Sequence, residues 1–449
     1  MTRSPLRLIF EDGMSDIIDP RTLRGFRDSL PQAEVGRLAV QEKLTRVFRR
    51  FGFVPIDTPV LEYAEILLGK GGGETDKQVY RFRDHGDRDV AMRFDLTVPF
   101  ARFMAAHSRE LYLPFKRYHM AKVWRGENTQ RGRYREFIQI DFDLVGVDSA
   151  SADFETLMVM QESFRELGVP RFRIHVSHRE LFNLLLAARG LAERYLPVLR
   201  IVDKLRKVGP EQTRAQLVEL AGEAAAGQIL EFVTAGASSR ETLRRVGSLL
   251  PAGSPPLQRL EALWRCIEDC GLEEFIVFDP AITRGLDYYT GVVFETFLGD
   301  LPDIGSVCSG GRYNDLASLY TREKLPGVGA SIGLDRLMAA LEELGLAAGG
   351  GGAPQALILL LDEDLLAEYH RLATSLRESG LAVEVYPEAR KLAVQLKYAE
   401  KRAIPLAVIF GPEERARGQY TLKDLRDRSS HEGLSAAALA ETASRLLRS

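Results

Sequence analysis

The sequence predicts an α+β fold in two parts: a large antiparallel sheet flanked by helices and broken by a helical insertion, then a small α/β domain. Three observations predict it. From Tyr80 to Val145 short runs alternate in hydrophobicity with period two and show no strand-helix-strand grammar, which reads as antiparallel pairing. From about 180 to 275 the chain turns rich in Leu, Ala, Arg and Glu at helical spacing, which reads as an insertion. Beyond the glycine run Gly349–Gly352, apolar runs at Ala356–Leu361, Ala382–Tyr386 and Leu406–Phe410 alternate with helical patterns, the βαβαβ spacing of a parallel or mixed sheet.

Each element follows in order. Residues 1–22 lack periodicity and read as a loosely held extension. Val35, Leu38, Leu44, Val47, Phe48 and Phe51 make a helical stripe, followed by an extended run through Pro55 and Pro59. In Val90–Thr97, Val90, Met92, Phe94 and Leu96 alternate with Ala91, Arg93, Asp95 and Thr97, the pattern of an amphipathic strand. Lys116–Arg125 and Arg133–Val145 read as a hairpin around the loop Gly126–Gly132. Strand signals return at Phe275–Phe278 and Asp287–Phe297, and a helix follows near Gly333–Leu344. The boundaries are therefore 1–22, 23–345 with the insertion inside it, a linker over 346–353, and 354–449.

Length and charge bound the function. A chain of 449 residues exceeds one compact core, and 45% hydrophobic with 27% charged residues suits a globular protein with several. Apolar runs such as Ala356–Leu361 are too short to span a bilayer, and no signal peptide is expected, because Glu11 and Asp12 interrupt the N-terminal stretch. Three cysteines argue for a reducing compartment, hence the cytoplasm, and Cys266 and Cys270 read as buried helix cysteines. The net charge of −3 disfavours a module that grips nucleic acid through a broad basic surface.

Against that acidic balance, Lys116–Arg135 holds seven Lys or Arg and one Glu, a local surplus of six charges suited to phosphates. Arginine forks at Arg125, Arg131, Arg133 and Arg135 match phosphate oxygens. In the following strand Ile138, Ile140, Phe142 and Leu144 share one face, and Gln139, Asp141 and Asp143 the other. Carboxylates and an amide suit an ammonium group, so the two features together suit an amino acid beside a nucleoside triphosphate. Gly71–Asp76 lacks the phosphate-loop spacing and reads as a mobile loop over a site. Arg284–Gly291 places a charge before two tyrosines, and Ser306–Tyr313 offers glycines for a close backbone approach to a ligand. Arg336, in the first turn of a helix, is misplaced for the helix dipole unless it meets an anion.

Assembled, these segments resemble the histidyl-tRNA synthetase family, within the class II aminoacyl-tRNA synthetases. Arg24–Asp28 is similar to the family's N-terminal signature, Gly52–Glu62 to motif 1 with Pro59, Phe115–Asp143 to motif 2 with Arg125, and Ser331–Arg336 to motif 3 with Arg336. RGLDYYTG at 284–291 and SGGRY at 309–313 resemble the two histidine-specific motifs. The resemblance implies an antiparallel class II catalytic sheet, a C-terminal anticodon-binding domain, and a homodimer with motif 1 at its interface. It implies histidine, ATP with Mg2+, and tRNA(His) as substrates. Arg125 and Arg336 are expected to clamp ATP, Arg133 to reach its terminal phosphates, Glu127 to approach adenine, and Arg284 to meet the α-phosphate. Asp95, Thr97, Gln139 and Asp143 are expected to hold the α-amino end of histidine, and Tyr288 and Tyr289 to shape the imidazole pocket. Asp95 and Asp335 stand where many members carry glutamate, which reads as a subtype. Asp141 receives no role and is left as solvated strand. The alternative is a regulatory paralogue of histidine biosynthesis that kept the fold and lost catalysis; such proteins lack the anticodon domain and catalytic arginines.

Overall fold

The computed structural model describes residues 18–69, 78–129, 131–202, 204–282, 288–347 and 352–448. The Gly71–Asp76 loop, Arg284 and most of the N-terminal extension lie outside them. The chain forms two compact units, with main spans Arg37–Ala348 and Gly349–Ser449.

In the larger unit the described strands are β1 (Val54–Pro55), β2 (Leu61–Tyr63), β3 (Arg81–Arg83), β4 (Asp89–Met92), β5 (Phe115–Trp124), β6 (Glu136–Val145), β7 (Phe172–His178), β8 (Ile276–Phe278), β9 (Val292–Leu298), β10 (Cys308–Arg312) and β11 (Gly327–Gly333). Eight of them form one sheet in the order β1-β5-β6-β11-β10-β9-β7-β8. Its centre is antiparallel, while β1 lies parallel to β5 and β8 parallel to β7 at the edges. Parallel pairing needs a long crossover, and the helical stretch supplies it between β7 and β8. Among the described residues that stretch comprises seven α-helices, which follow the first four of the unit. In chain order the helices are α1 (Pro31–Arg50), α2 (Ala64–Leu68), α3 (Thr97–His107), α4 (Ala150–Glu166), α5 (Arg179–Ala188), α6 (Tyr195–Val202), α7 (Leu205–Val208), α8 (Pro210–Ala221), α9 (Glu223–Val233), α10 (Ser239–Ser248), α11 (Pro255–Asp269) and α12 (Leu334–Glu343).

On α1 the buried stripe is Val40, Leu44, Val47 and Phe48, whereas Leu38 is half exposed. Phe48 meets Tyr118 of β5 at 5.4 Å and Phe142 of β6 at 5.2 Å, so α1 covers one face of the central strands. The other face holds the polar row of β6. Small elements crowd it: the sheet β2-β4-β3 and helix α3.

Two expectations fail here. Val90–Thr97 is not one strand: β4 ends at Met92, and α3 begins at Thr97. The Asp95 carboxylate accepts a hydrogen bond from the Val98 amide at 3.1 Å, satisfying a free N–H of the first turn. Pro99 is tolerated there because that turn has no backbone partner for its nitrogen. Cys270 is exposed and Cys266 only half-buried: Cys270 lies past the end of α11 at Asp269, and the buried stripe of the helix runs through Leu263, Trp264 and Ile267 instead.

The smaller unit has strands β12 (Ala356–Ile358), β13 (Val383–Val385), β14 (Leu406–Ile409), β15 (Tyr420–Asp424) and β16 (Ser430–Leu434), ordered β13-β12-β14-β15-β16. The first three are parallel and the last two run antiparallel. Tyr369, Leu372 and Leu376 of the helix Leu366–Glu378 pack into its core with Ile358 and Val408.

Candidate functional site

A cavity of about 230 Å³ opens on the polar face of β6, β11 and β10. Thr97, Arg125, Glu127, Arg133, Gln139, Asp143, Tyr288, Tyr289 and Arg336 all line it. Nine candidate residues scattered over 240 positions thus reach one space. Asp95 stands just behind, where its Oδ2 accepts from the Tyr288 hydroxyl at 3.3 Å. Arg284 lies outside the described residues.

Strand register explains the convergence. Gln139, Asp141 and Asp143 sit opposite Gly333, Ser331 and Gly329 on β11, and Ser331 sits opposite Ser309 on β10. Directly paired residues share a face, so this row is polar right across three strands. The glycines make room for it. A Cβ at Gly329 would collide with the Asp143 carboxyl, and one at Gly311 with the Val292 carbonyl while crowding the Tyr289 ring. The close approach to a ligand expected at Ser306–Tyr313 is, at Gly310, an approach between protein atoms: Gly310 lies against the backbone of Gly329 and Ala330.

The cationic wall is built from two elements. Arg125, at the end of β5, donates Nε to the Phe94 carbonyl at 2.8 Å and lies over the Phe137 ring at 5.2 Å. Glu127 stands 3.9 Å from both Arg125 and Arg133. Arg336 reaches in from α12 and donates to the Ser306 carbonyl. Burial lowers the pKa of Arg336, and the nearby Arg133 and Arg125 charges lower it further, while Glu127 opposes them. Three guanidinium groups thus crowd one carboxylate, leaving room for an anion.

The local surplus read over Lys116–Arg135 does not form a single patch. Lys116 pairs with Glu155, Lys122 with Glu136, and Arg131 with Glu343 at 2.9 Å. Arg135 donates to the Glu127 carbonyl at 3.2 Å. Of the seven cations only Arg125 and Arg133 line the cavity.

The acidic wall is deeper. Arg117, fully buried on β5, pairs with Asp143 at 2.8 Å and lies 4.2 Å over the Phe100 ring. Tyr313 donates to the other oxygen of Asp143. Gln139 donates Nε2 to the Ser331 hydroxyl at 2.7 Å, and its Oε1 faces Arg125 at 3.4 Å. Asp141 is not solvated strand: it is 1% exposed, 3.4 Å from the Thr97 hydroxyl. Burial raises the pKa of Asp95 and Asp143, and pushes Asp141 up to about 7. The Tyr288, Tyr289 and Tyr313 hydroxyls are held protonated by the same burial.

Sequence reading missed three supports. Arg117 was counted with the phosphate-binding charge, although its parity opposite Asp143 is what turns it inward. Arg312, within SGGRY, pairs with the buried Asp153 of α4 at 2.7 Å and so anchors β10. Asp335 accepts from the Ile138 amide at 2.9 Å and from Arg27, tying the signature near the N-terminus to α12 and β6. Only the ordered motifs could have flagged these positions, since each partner is more than a hundred residues away, the 26-residue step from Arg117 to Asp143 excepted.

Comparison with known proteins agrees with this geometry. A family model described as histidyl-tRNA synthetase matches residues 25–337, and one described as an anticodon binding domain matches 355–446. The chain is 50% identical over 434 residues to a histidine–tRNA ligase of Treponema denticola, covering 93% of this chain and 97% of the relative. It is 46% identical over 422 residues to that of Rhodopirellula baltica, covering 93% and 96%. Among solved structures, a histidyl-tRNA synthetase of a Nostoc species matches with a TM-score of 0.85 at 32% identity, covering 95% of this chain and 99% of that one. A Bacillus halodurans protein described as an ATP phosphoribosyltransferase regulatory subunit/histidyl-tRNA synthetase matches with 0.73 at 24% identity, covering 85% and 97%, a likeness of fold alone. With a family model matched over most of its length and 50% identity to one such ligase across 93% of the chain, the chain belongs to the histidyl-tRNA synthetase family.

Proposed function

We propose that this chain is a histidine–tRNA ligase, which joins histidine to ATP as histidyl-adenylate and passes it to the 3′ end of tRNA(His). One observation carries the reading: a cavity with three guanidinium groups on one wall and buried carboxylates with an amide on the other. Such a cavity suits a triphosphate beside an ammonium group.

The histidine carboxylate attacks the α-phosphorus in line, and pyrophosphate leaves. Charge grows on the non-bridging oxygens as the bond forms. Arg125 and Arg336, already held by the Phe94 and Ser306 carbonyls, meet that charge without reorganising. Arg133 takes the terminal phosphates and Glu127 the adenine edge. Asp95, Thr97, Gln139 and Asp143 hold the ammonium end, and Tyr288 and Tyr289 enclose the imidazole. Mg2+ enters as part of the nucleotide substrate. The triphosphate would carry most of its ligands, since Mg2+ is usually held by substrate phosphates with one or two carboxylates.

Residues 355–446 supply anticodon recognition. A homodimer is supported by exposed Val54, Val60, Leu61, Tyr63 and Phe82, an apolar group along β1, β2, β3 and the segment between β1 and β2. No described helix is long and apolar enough to cross a membrane. Charging tRNA would place the protein in the cytoplasm.

Histidine-dependent exchange of labelled pyrophosphate into ATP tests this. Exchange with histidine and with no other amino acid is expected; none, from folded protein with Mg2+, favours the regulatory alternative. Arg284→Ala should cost far more in turnover than in histidine binding if Arg284 meets the α-phosphate. Truncation at Gly350 should leave exchange largely present and weaken tRNA charging.

A further inference from the structure

The segment Arg24–Asp28 is a signature to which the reaction above gives no role. It lies behind the cationic wall, and none of its residues is among the described residues that line the cavity. Its backbone is fastened to the loop that follows β5. The Gly25 carbonyl accepts from the Arg135 amide at 2.9 Å. Gly25 has a φ of +89°, and a Cβ there would strike the Arg135 side chain at 2.8 Å. Phe26 meets Tyr80 edge-on at 6.2 Å.

From this strap the Arg27 side chain reaches two parts of the wall at once. Its guanidinium lies 4.0 Å over the Tyr134 ring, and Nη1 donates to the Tyr134 hydroxyl at 3.0 Å. Nη2 donates to Asp335 Oδ1 at 2.5 Å, while Asp335 Oδ2 accepts from the Ile138 amide at 2.9 Å. Asp335 is 5% exposed, so its oxygens find little water in place of Arg27. Tyr134 directly follows Arg133 in the chain, and Asp335 directly precedes Arg336. One planar fork thus joins the neighbours of two guanidinium groups of the cavity.

The wall has a use for such a link. Gly132 packs so closely on α12 that a Cβ there would stand 3.2 Å from the Arg336 Cα. The Arg133 and Arg125 charges repel that of Arg336, and Glu127 is the carboxylate that opposes them. Like charge therefore drives the loop and the helix apart until a polyanion binds. We propose that Arg27 is a positioning residue for the nucleotide: by joining Tyr134 to Asp335 it holds the loop that carries Arg133 against the helix that carries Arg336 before ATP arrives. This rests on the reading of Arg133 and Arg336 as ATP ligands. The acidic wall has supports of its own in Arg117, Tyr313 and Ser331, so the effect is confined to the nucleotide.

The experiment is pyrophosphate exchange by the full chain, comparing wild type with Arg27→Ala, Arg27→Lys and Arg133→Ala. Arg27→Ala should raise KM for ATP several-fold and lower kcat roughly tenfold to a hundredfold, the scale for misplacing a group that meets the transition state. KM for histidine should stay within about twofold of wild type. Arg27→Lys keeps a charge for Asp335 and lacks the fork that serves Tyr134 as well. It should melt close to wild type and still show the raised KM for ATP. In an Arg133→Ala background the rise in KM for ATP caused by Arg27→Ala should shrink below about twofold, because a group being placed is gone. A fall in kcat with both KM values unchanged is the mark of lost folded protein and would overturn the proposal. A parallel rise in KM for histidine, a wild-type KM for ATP in Arg27→Lys, or multiplying losses with Arg133→Ala would overturn it too. Should Arg27→Ala fail to fold, the ATP-versus-histidine split in Arg27→Lys decides it. Absence of exchange in the wild type would instead defeat the ligase reading.

Discussion

The two walls of the cavity solve opposite problems. On the cationic wall Arg133 is about half exposed (48%) and Arg125 a quarter exposed (25%), and their carboxylate neighbour Glu127 stands 3.9 Å off. Charges so placed keep part of their hydration and are open to a ligand. On the acidic wall Arg117 and Asp143 are 0% and 3% exposed and 2.8 Å apart. There each charge depends on its partner, because water is absent. The difference teaches that one site recognises phosphate through an excess of accessible charge, and ammonium through a dry network whose geometry is set before the ligand arrives.

Breaking the acidic wall should have the largest effect. Asp143→Ala leaves Arg117 buried and unpaired, which costs about 3–5 kcal/mol. Urea unfolding should show that loss; a loss below about 1 kcal/mol would mean water reaches Arg117. Arg125→Ala comes next. It should lower the rate of adenylate formation roughly 10²–10³-fold, as for loss of one preorganised donor to a developing oxyanion, with little change in stability. Single-turnover assays separate the two. Tyr313→Phe removes one donor from Asp143 and should weaken histidine binding by about 1–2 kcal/mol, read by calorimetry. Arg133→Ala, on the exposed side, should raise KM for ATP only a few-fold, about 1 kcal/mol, and this effect should shrink with salt.

A pH experiment sharpens the contrast. A carboxyl raised by burial binds a proton in the folded state that the unfolded chain has released. The stability it contributes is thus present below the unfolded pKa near 4 and is lost as pH rises through the folded value. For Asp141 that window ends at about 7. Asp141→Asn should therefore be more stable than wild type at pH 8, with the gap closing toward pH 4 in thermal melts. No gap at pH 8 would mean the carboxylate is better solvated than its burial indicates.

Much of this site was legible. The alternation Ile138-Gln139-Ile140-Asp141-Phe142-Asp143 assigns faces by period alone, and the structure keeps that assignment. The arginine in the first turn of α12 pointed to an anion, and it does line the cavity. Other inferences failed for physical reasons. Val90–Thr97 alternates like a strand, yet a carboxylate at Asp95 caps a helix, and local capping outweighs periodicity over so short a run. Asp141 was left in water because parity says which residues share a face and nothing about what covers it. The surplus of charge over Lys116–Arg135 dissolved into separate pairs because Glu136 lies just past the counted window on the same hairpin, and Glu155 and Glu343 come from elsewhere in the fold.

The sequence by itself determined the family, the division of strands from helices over most of the chain, and the chemical types at the site, since these depend on residue identity, order and local period. Tertiary structure alone decided which charges are dry. Gln139 meets Ser331 across 192 positions, Tyr313 meets Asp143 across 170, and Arg312 meets Asp153 across 159. Desolvation is a property of everything packed around a group, so no reading of neighbours along the chain could reveal that Asp141 stands dry beneath the site.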